Sequence, residues 1–339
     1  MRDQVQQVLD TLRQANGLYV ASPSNTYHYV WVRDSCYIAL SELERDNGRF
    51  ERTYHSLFDI FRKYMWKLEY HAQHRPREAF EYIHPRYSAN LLEEVREPWG
   101  NAQNDAIGAF LFGVGEGLRR KKNLVRDEQD WRVLSLFVRY LTTLEYWHDA
   151  DNGVWEENRE VHASSIGACV AGLLAVRPFV DVPWEPIQQG LSSLYLTLPR
   201  ESVSKDVDLA LLSLIYPYQL LPVGLAEVIV ERVEAALLRT HGVLRYPGDK
   251  YYSEDGREAE WCMGFSWLGI CHALLGHHDK AAEYLERSQE VMTAAHEIPE
   301  LYRPVSKTPN ENTPLGWSHA MWLILYDMLH RDGRTSTAD

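Results

Sequence analysis

Two kinds of helical segment alternate along this chain of 339 residues, and that alternation narrows the folds open to it. One kind is amphipathic. Trp131, Leu134, Val138 and Leu141 recur on one face of 131–147, and Leu225, Ile229, Val233 and Ala236 on one face of 222–238, with charged faces opposite. The other kind is apolar all round, as in 106–114, 166–176, 209–215, 261–275 and 317–329, and is rich in small residues such as Gly108, Gly113, Gly167, Gly172, Gly264 and Gly269. A helix apolar on every face has to be buried on every face. The periodicity predicts about twelve helices, near 2–15, 33–46, 50–68, 101–121, 126–147, 162–177, 184–198, 205–215, 222–238, 258–275, 278–295 and 314–330. An outer ring of amphipathic helices around an inner ring of buried ones accounts for the alternation. The expectation is therefore an all-α (α/α)6 toroid, a single domain over 1–339 with a flexible tail at 331–339. A solenoid is the alternative, but no fixed-period repeat is visible, and strand signals are scarce.

Charge and cysteine usage exclude several function classes. Lys plus Arg is 35 and Asp plus Glu is 48, a formal charge of −13. Nucleic-acid binding needs basic patches that replace counterions, and anionic membranes attract basic segments, so neither partner is expected. The apolar run Trp317–Leu329 is too short to span a bilayer and contains His319 and Asp327. Met1 to Asn16 has no apolar leader core. Cys36, Cys169, Cys262 and Cys271 form no CxxC pair and sit in apolar runs. They read as reduced core residues, and the expected location is the cytoplasm. No metal or cofactor is expected. His71 and His74 lack a third ligand at helical spacing, and Gly113-Val114-Gly115-Glu116-Gly117 follows a helix rather than a strand. No oligomeric state is assigned.

The connections are unequal. Long ones, 16–32, 69–100, 148–161, 239–257 and 296–313, lead from an amphipathic helix to a buried one, and in a toroid these all emerge on one face. Long loops on a rigid scaffold usually carry function. Here they carry Trp, Tyr and carboxylate clusters in a chain with 11 Trp and 20 Tyr against 9 Phe. Amphipathic aromatics suit sugar rings, although core filling is their ordinary use. Each cluster also has a plain structural explanation. Arg33-Asp34 opens a helix, Asp208 suits a cap, and Glu156-Glu157 on a surface would simply be solvated. The chemical alternative is a hydroxyl clamp from Arg33 and Asp34, and a Glu156 carboxyl held protonated by Trp155 and the adjacent Glu157.

Taken together the clusters are more specific. Trp31-x-Arg33-Asp34, Trp99-Gly100-x-x-Gln103-x-Asp105, Gly153-x-Trp155-Glu156-Glu157 with His162-x-Ser164, Arg245-Tyr246-Pro247 with Trp261, and Pro299-Glu300 with Asn312-x-Pro314 and Ser318-His319 occur in one order. From about Tyr27 to Leu329 the set resembles glycoside hydrolase family 15, the glucoamylases and glucodextranases. It is also similar, locally at Trp31–Asp34 and Ala163–Gly167, to the N-terminal domains of phosphorylase kinase regulatory subunits.

The resemblance implies an (α/α)6 barrel, an α-glucan or α-glucoside substrate cleaved from its non-reducing end, and inverting chemistry without a metal. It implies Glu156 as general acid and Glu300 as general base. Arg33 and Asp34 would hold the terminal glucose, and Trp99, Glu157, Arg245 and Trp261 would line the sugar subsites. Trp31, Asp105 and His319 join the substrate-binding set, with Asp105, Asp208 and His319 also open to a supporting role. Inversion needs carboxyl groups roughly 6.5–9.5 Å apart. Three departures stand out: Val32 where bacterial relatives often have Pro, Leu301 where they usually have Gln, and no room for their N-terminal β-sandwich. The alternatives are a non-catalytic glucan-binding or regulatory module, or another (α/α)6 sugar enzyme such as an epimerase or lyase. The glucosidic linkage stays open.

Overall fold

The predicted helices form close to where periodicity places them. In a computed structural model of the chain, which describes residues 1–331, the α-helices are α1 (Arg2–Thr11), α2 (Val32–Leu40), α3 (Arg49–Lys63), α4 (Met65–His71), α5 (Asn104–Arg119), α6 (Glu128–Leu144), α7 (Ala163–Val176), α8 (Trp184–Thr197), α9 (Val223–Leu237), α10 (Met263–Leu274), α11 (His278–Glu290) and α12 (Gly316–Arg331). Four two-residue strands are present among the described residues: β1 (Val30–Trp31) pairs with β2 (Arg86–Tyr87), and β3 (Glu260–Trp261) with β4 (Leu301–Tyr302), both antiparallel. Of the tail expected at 331–339, residues 332–339 lie outside the described residues. No helix among the described residues is long and apolar enough to cross a membrane. All four cysteines are buried and unbridged.

The elements gather in two compact units. One comprises Gln14–Tyr19 and Tyr29–Ser204; the other comprises Met1–Arg13, Val20–His28 and the chain from Lys205 onward. In the first, α5 and α7 are the long buried helices, and α2 is buried from Val32 to Ala39 as well. All but one residue of α7 is buried, so its lack of a polar face is matched by its surroundings. The two helices touch through glycine. A Cβ on Gly108 would lie 2.3 Å from the Ala168 carbonyl carbon, and one on Gly172 would lie 2.6 Å from the Gly108 oxygen. Around them α3 and α6 each bury one stripe, and Phe61 packs edge-on against both Phe110 and Phe137 at centroid distances of 4.8 and 4.7 Å. Helix α6 starts where Asp127 caps it, accepting from the amides of Gln129 and Asp130.

In the second unit α10 is buried from Met263 through His272, and α12 from Gly316 through Leu325. Trp267 on α10 meets Trp317 on α12, and Arg2 on α1 donates to Asp327 on α12 at 2.7 Å. The amphipathic α9 and α11 bury single stripes there.

Three predicted elements differ from expectation, each for a local reason. The helix expected at 205–215 is a 3-10 turn confined to Leu209–Leu214. Asp208 is extended and caps Ala210, and the Leu209 amide donates to the Arg245 carbonyl, so the chain before Leu209 is not available to a helix. The segment 50–68 breaks at Tyr64 into α3 and α4. The segment from 258 begins as strand β3, because Glu260 and Trp261 pair with Tyr302 and Leu301.

The glycine contact can be tested by stability. Gly108→Ala should lower the urea midpoint by the equivalent of roughly 1–3 kcal/mol, the usual cost of overpacking. Gly224→Ala, on α9, where a Cβ meets nothing within 4 Å, should be neutral or stabilising by up to about 1 kcal/mol.

Candidate active site

Glu156 sits in a turn whose backbone is left-handed at Gly153 (φ 64°) and again at Glu156 itself (φ 62°). A side chain in that region costs on the order of 1–2 kcal/mol, so the surroundings must hold it there. They do so with donors. Glu156 Oε1 accepts from Arg33 Nη2 at 2.8 Å, and Oε2 accepts from Trp99 Nε1 at 2.5 Å. From sequence, Glu157 and Trp155 are the neighbours expected to act on this carboxyl; the structure brings Arg33 and Trp99 to it. The reach of Arg33 comes from α2, whose first turn also carries the buried Asp34.

Arg33 is itself held. Its Nη1 donates to Asp105 Oδ2 at 2.8 Å and to Gln103 Oε1 at 3.2 Å. Both partners come from the start of α5. Burial opposes the charge of Arg33, but Asp105, Glu156 and Asp34 outweigh it and push its pKa above the ordinary value. Trp99, more exposed than its neighbours, lies under the guanidinium of buried Arg86, 4.1 Å from the ring centroid. Arg86 also faces Trp31 at 5.7 Å, its register partner across β1 and β2. Arg86 has no motif around it, and sequence reasoning does not find it.

Glu300 lies in the other unit, just ahead of β4. Three donors converge on its Oε2: Asn310 Nδ2 at 2.5 Å, Asn312 Nδ2 at 2.8 Å and the Tyr251 hydroxyl at 3.4 Å. The Tyr251 and Tyr27 hydroxyls are 2.9 Å apart. Glu300 is buried. Burial raises its pKa above the ordinary glutamate value, while Asn312, Asn310 and the nearby Arg245 charge pull the other way without cancelling it. Arg245 forms a bidentate pair with Asp249, at 2.7 and 2.6 Å, and its guanidinium lies 5.0 Å from the Trp261 ring. Leu301 is fully buried, and its carbonyl accepts from the Asn310 amide at 3.2 Å. The amide donors beside Glu300 thus come from Asn310 and Asn312 rather than from position 301. Asn312 falls within a motif noted in sequence; Asn310 and Tyr251 do not, and only folding brings them to Glu300.

Of the remaining sequence-predicted residues, Trp261 is buried in β3. The Glu157 carbonyl accepts from Asn152 Nδ2 at 2.5 Å. Asp105 serves Arg33, and Asp208 caps its 3-10 turn. His319 is fully buried on α12, so the structure favours its supporting reading over sugar contact. Its Nε2 accepts from the Ile298 amide at 3.2 Å while Nδ1 donates to the Leu315 carbonyl at 2.8 Å. Because Ile298 N–H can only donate, the ring is neutral with its proton on Nδ1. This bond steadies the chain two residues before Glu300.

With both groups described, the comparison with known proteins is direct. The family model for glycosyl hydrolases family 15 matches residues 2–181, more than half of the chain. The chain belongs to family 15 of the glycosyl hydrolases. A probable phosphorylase b kinase regulatory subunit alpha of Caenorhabditis elegans is 25% identical over 88% of this chain, which spans only 30% of that protein. An isomaltose glucohydrolase of Kribbella flavida is 25% identical over 95% of this chain and 90% of its own length. A solved glycosidase superposes with a TM-score of 0.82 at 24% identity, covering 97% of this chain and 95% of that one. Solved glucoamylases share the fold, which is the all-α (α/α)6 barrel of this family.

The His319 bond predicts a pH dependence of stability. Burial pulls its pKa from 6.5 down to about 4, so below pH 6.5 the unfolded chain takes up a proton that the folded one refuses. The stability supplied by the neutral ring is complete above about pH 6.5 and is lost as pH falls towards 4, by roughly 3 kcal/mol at most. His319→Gln should therefore be less stable than the parent at pH 7, with the gap narrowing at pH 4.5 in urea titrations. A gap that stays constant with pH contradicts the assignment.

Proposed function

We propose that the chain is the catalytic domain of an inverting, exo-acting α-glucosidase, with Glu156 as general acid and Glu300 as general base. The observation that supports this best is membership of family 15, with each carboxyl held by its own set of donors. One is set against a buried arginine and a tryptophan N–H; the other is buried among neutral donors. The charged Arg33 holds Glu156 Oε1 and the neutral Trp99 N–H holds Oε2, so Oε2 is the oxygen that carries the transferred proton. In the reaction Glu156 donates that proton to the glycosidic oxygen as the C1–O bond breaks. Water attacks C1 from the opposite face and gives its proton to Glu300, releasing β-glucose. Arg33, Asp34, Trp31, Trp99, Glu157, Arg245 and Trp261 serve the sugar, Asp105 holds Arg33, and His319 supports the chain ahead of Glu300. The substrate class is an α-glucoside or α-glucan. The isomaltose glucohydrolase relative makes isomaltose the first compound to assay, beside maltose, nigerose and trehalose.

Glu156→Gln should reduce hydrolysis of natural glucosides by about 10²–10⁴-fold while sparing glucosyl fluoride, whose leaving group needs little acid help. Glu300→Gln should impair both substrates. NMR of the first product should show the β anomer; an α anomer rules out inversion.

Burial of Glu300 places the acid limb of kcat/KM above pH 4.5, the ordinary glutamate value. Asn312→Leu removes a donor that favours the ionised form, so that limb should move to higher pH. A move to lower pH would show that the limb belongs to another group.

A second reading is a non-catalytic glucan-binding module, favoured by the regulatory-subunit relatives. Maltose or isomaltose binding by calorimetry, with no glucose released from any of the four disaccharides, would select it.

A further inference from the structure

The turn that bears Glu156 is fastened to the start of α5 by two adjacent side chains. Asp151 is fully buried. Its Oδ2 accepts from the Asn104 amide at 3.0 Å and its Oδ1 from the Gly153 amide at 3.2 Å. Asn152 makes the parallel connection. Its backbone amide donates to the Ala102 carbonyl at 2.6 Å, its side-chain oxygen accepts from the Ala102 amide at 3.2 Å, and its side-chain nitrogen donates to the Glu157 carbonyl at 2.5 Å. Gly100 leaves the space: a Cβ there would lie 2.6 Å from Asn152 Cγ. The base of the turn is closed by paired backbone bonds between Asp151 and Glu160 at 2.8 and 2.9 Å.

These links complete a circuit. The start of α5 supplies Gln103 and Asp105, which hold Arg33; Arg33 holds the Glu156 carboxyl; and Asp151 and Asn152 return the Glu156 turn to the start of α5. Every member of the circuit lies in one unit. Burial pushes the Asp151 carboxyl up to about 7, against the pull of His162, Ser165 and the Asn104 amide, so a costly acid is retained at a point where the two segments join.

We propose that Asp151 and Asn152 are positioning residues for Glu156, fixing the direction from which its proton reaches the leaving oxygen. The inference rests on Glu156 being the general acid. An asparagine at 151 presents one acceptor and one donor to two N–H groups, so one of the two bonds is lost. Removing the Asn152 side chain breaks its bonds to the Ala102 amide and the Glu157 carbonyl, leaving only the backbone bond to the Ala102 carbonyl. Either change should swing the acid without touching Glu300.

The test pairs a substrate that needs the acid with one that does not. Asp151→Asn and Asn152→Ala should each lower kcat on the natural disaccharide by about 10–100-fold, the scale of a misplaced catalytic group. KM should stay within about threefold, as expected when only a transition-state interaction is lost. Turnover of glucosyl fluoride should remain within about threefold of the parent, because fluoride departs with little acid help. Urea midpoints identify any variant that does not fold; Asn152→Ala then decides the outcome if Asp151→Asn fails. Equal losses on both substrates in a folded variant, or no loss on either, overturn the inference. Glu156→Gln run alongside separates the two levels. If it splits the substrates and the two variants do not, the positioning role fails alone. If it does not split them, the acid assignment fails and the positioning role with it.

Discussion

The buried guanidinium of Arg33 organises the surroundings of Glu156, and much of the local architecture exists to satisfy it. A charge removed from water is costly unless it is paired and hydrogen-bonded. Asp105 and Gln103 meet one nitrogen and Glu156 meets another. Taking away one partner of such a pair strands the other, at a typical cost of about 3–5 kcal/mol. The start of α2, the start of α5 and the turn at 153–156 are therefore coupled. None of the three can shift without breaking a charge-assisted bond, and this explains why Glu156 remains in a backbone conformation that a glutamate does not favour.

The Glu300 group follows a different rule. No ion pair to its carboxyl is needed to keep it in place. Neutral amides from Asn310 and Asn312 and a tyrosine hydroxyl orient one oxygen, while the nearby Arg245 is committed to Asp249. Neutral donors fix direction and temper the effect of burial without locking the carboxylate to a counter-charge. The base role proposed for Glu300 requires a carboxyl that accepts a proton and releases it again, and an environment of neutral donors permits both states.

Legibility in the sequence followed the range of the interaction. Helices α6, α7, α8 and α9 could be read within a few residues because apolar spacing is local. The turn at Leu209–Leu214 could not, because its boundary depends on the Leu209 amide bonding to Arg245, a contact from a distant segment. The site was partly readable. Glu156, Glu300, Arg33, Asp105 and Asn312 fall inside motifs with distinctive spacing. Arg86, Tyr251 and Asn310 sit in long loops without such spacing, and their roles appear only when the loops are folded. His319 was legible as a member of a motif but not as a neutral, fully buried support for the chain ahead of Glu300.

By itself, then, the sequence determined most of the helical segments, which of them are apolar on all faces, and which glutamates stand in motifs shared with a known family. These properties depend on periodicity and on order along the chain. Tertiary structure alone decided what each carboxyl touches: Arg33 and Trp99 for Glu156, Asn310, Asn312 and Tyr251 for Glu300. Those partners are separated from their glutamates by as many as 123 residues. Hydrogen-bond geometry acts over about 3 Å, a distance that sequence spacing cannot encode.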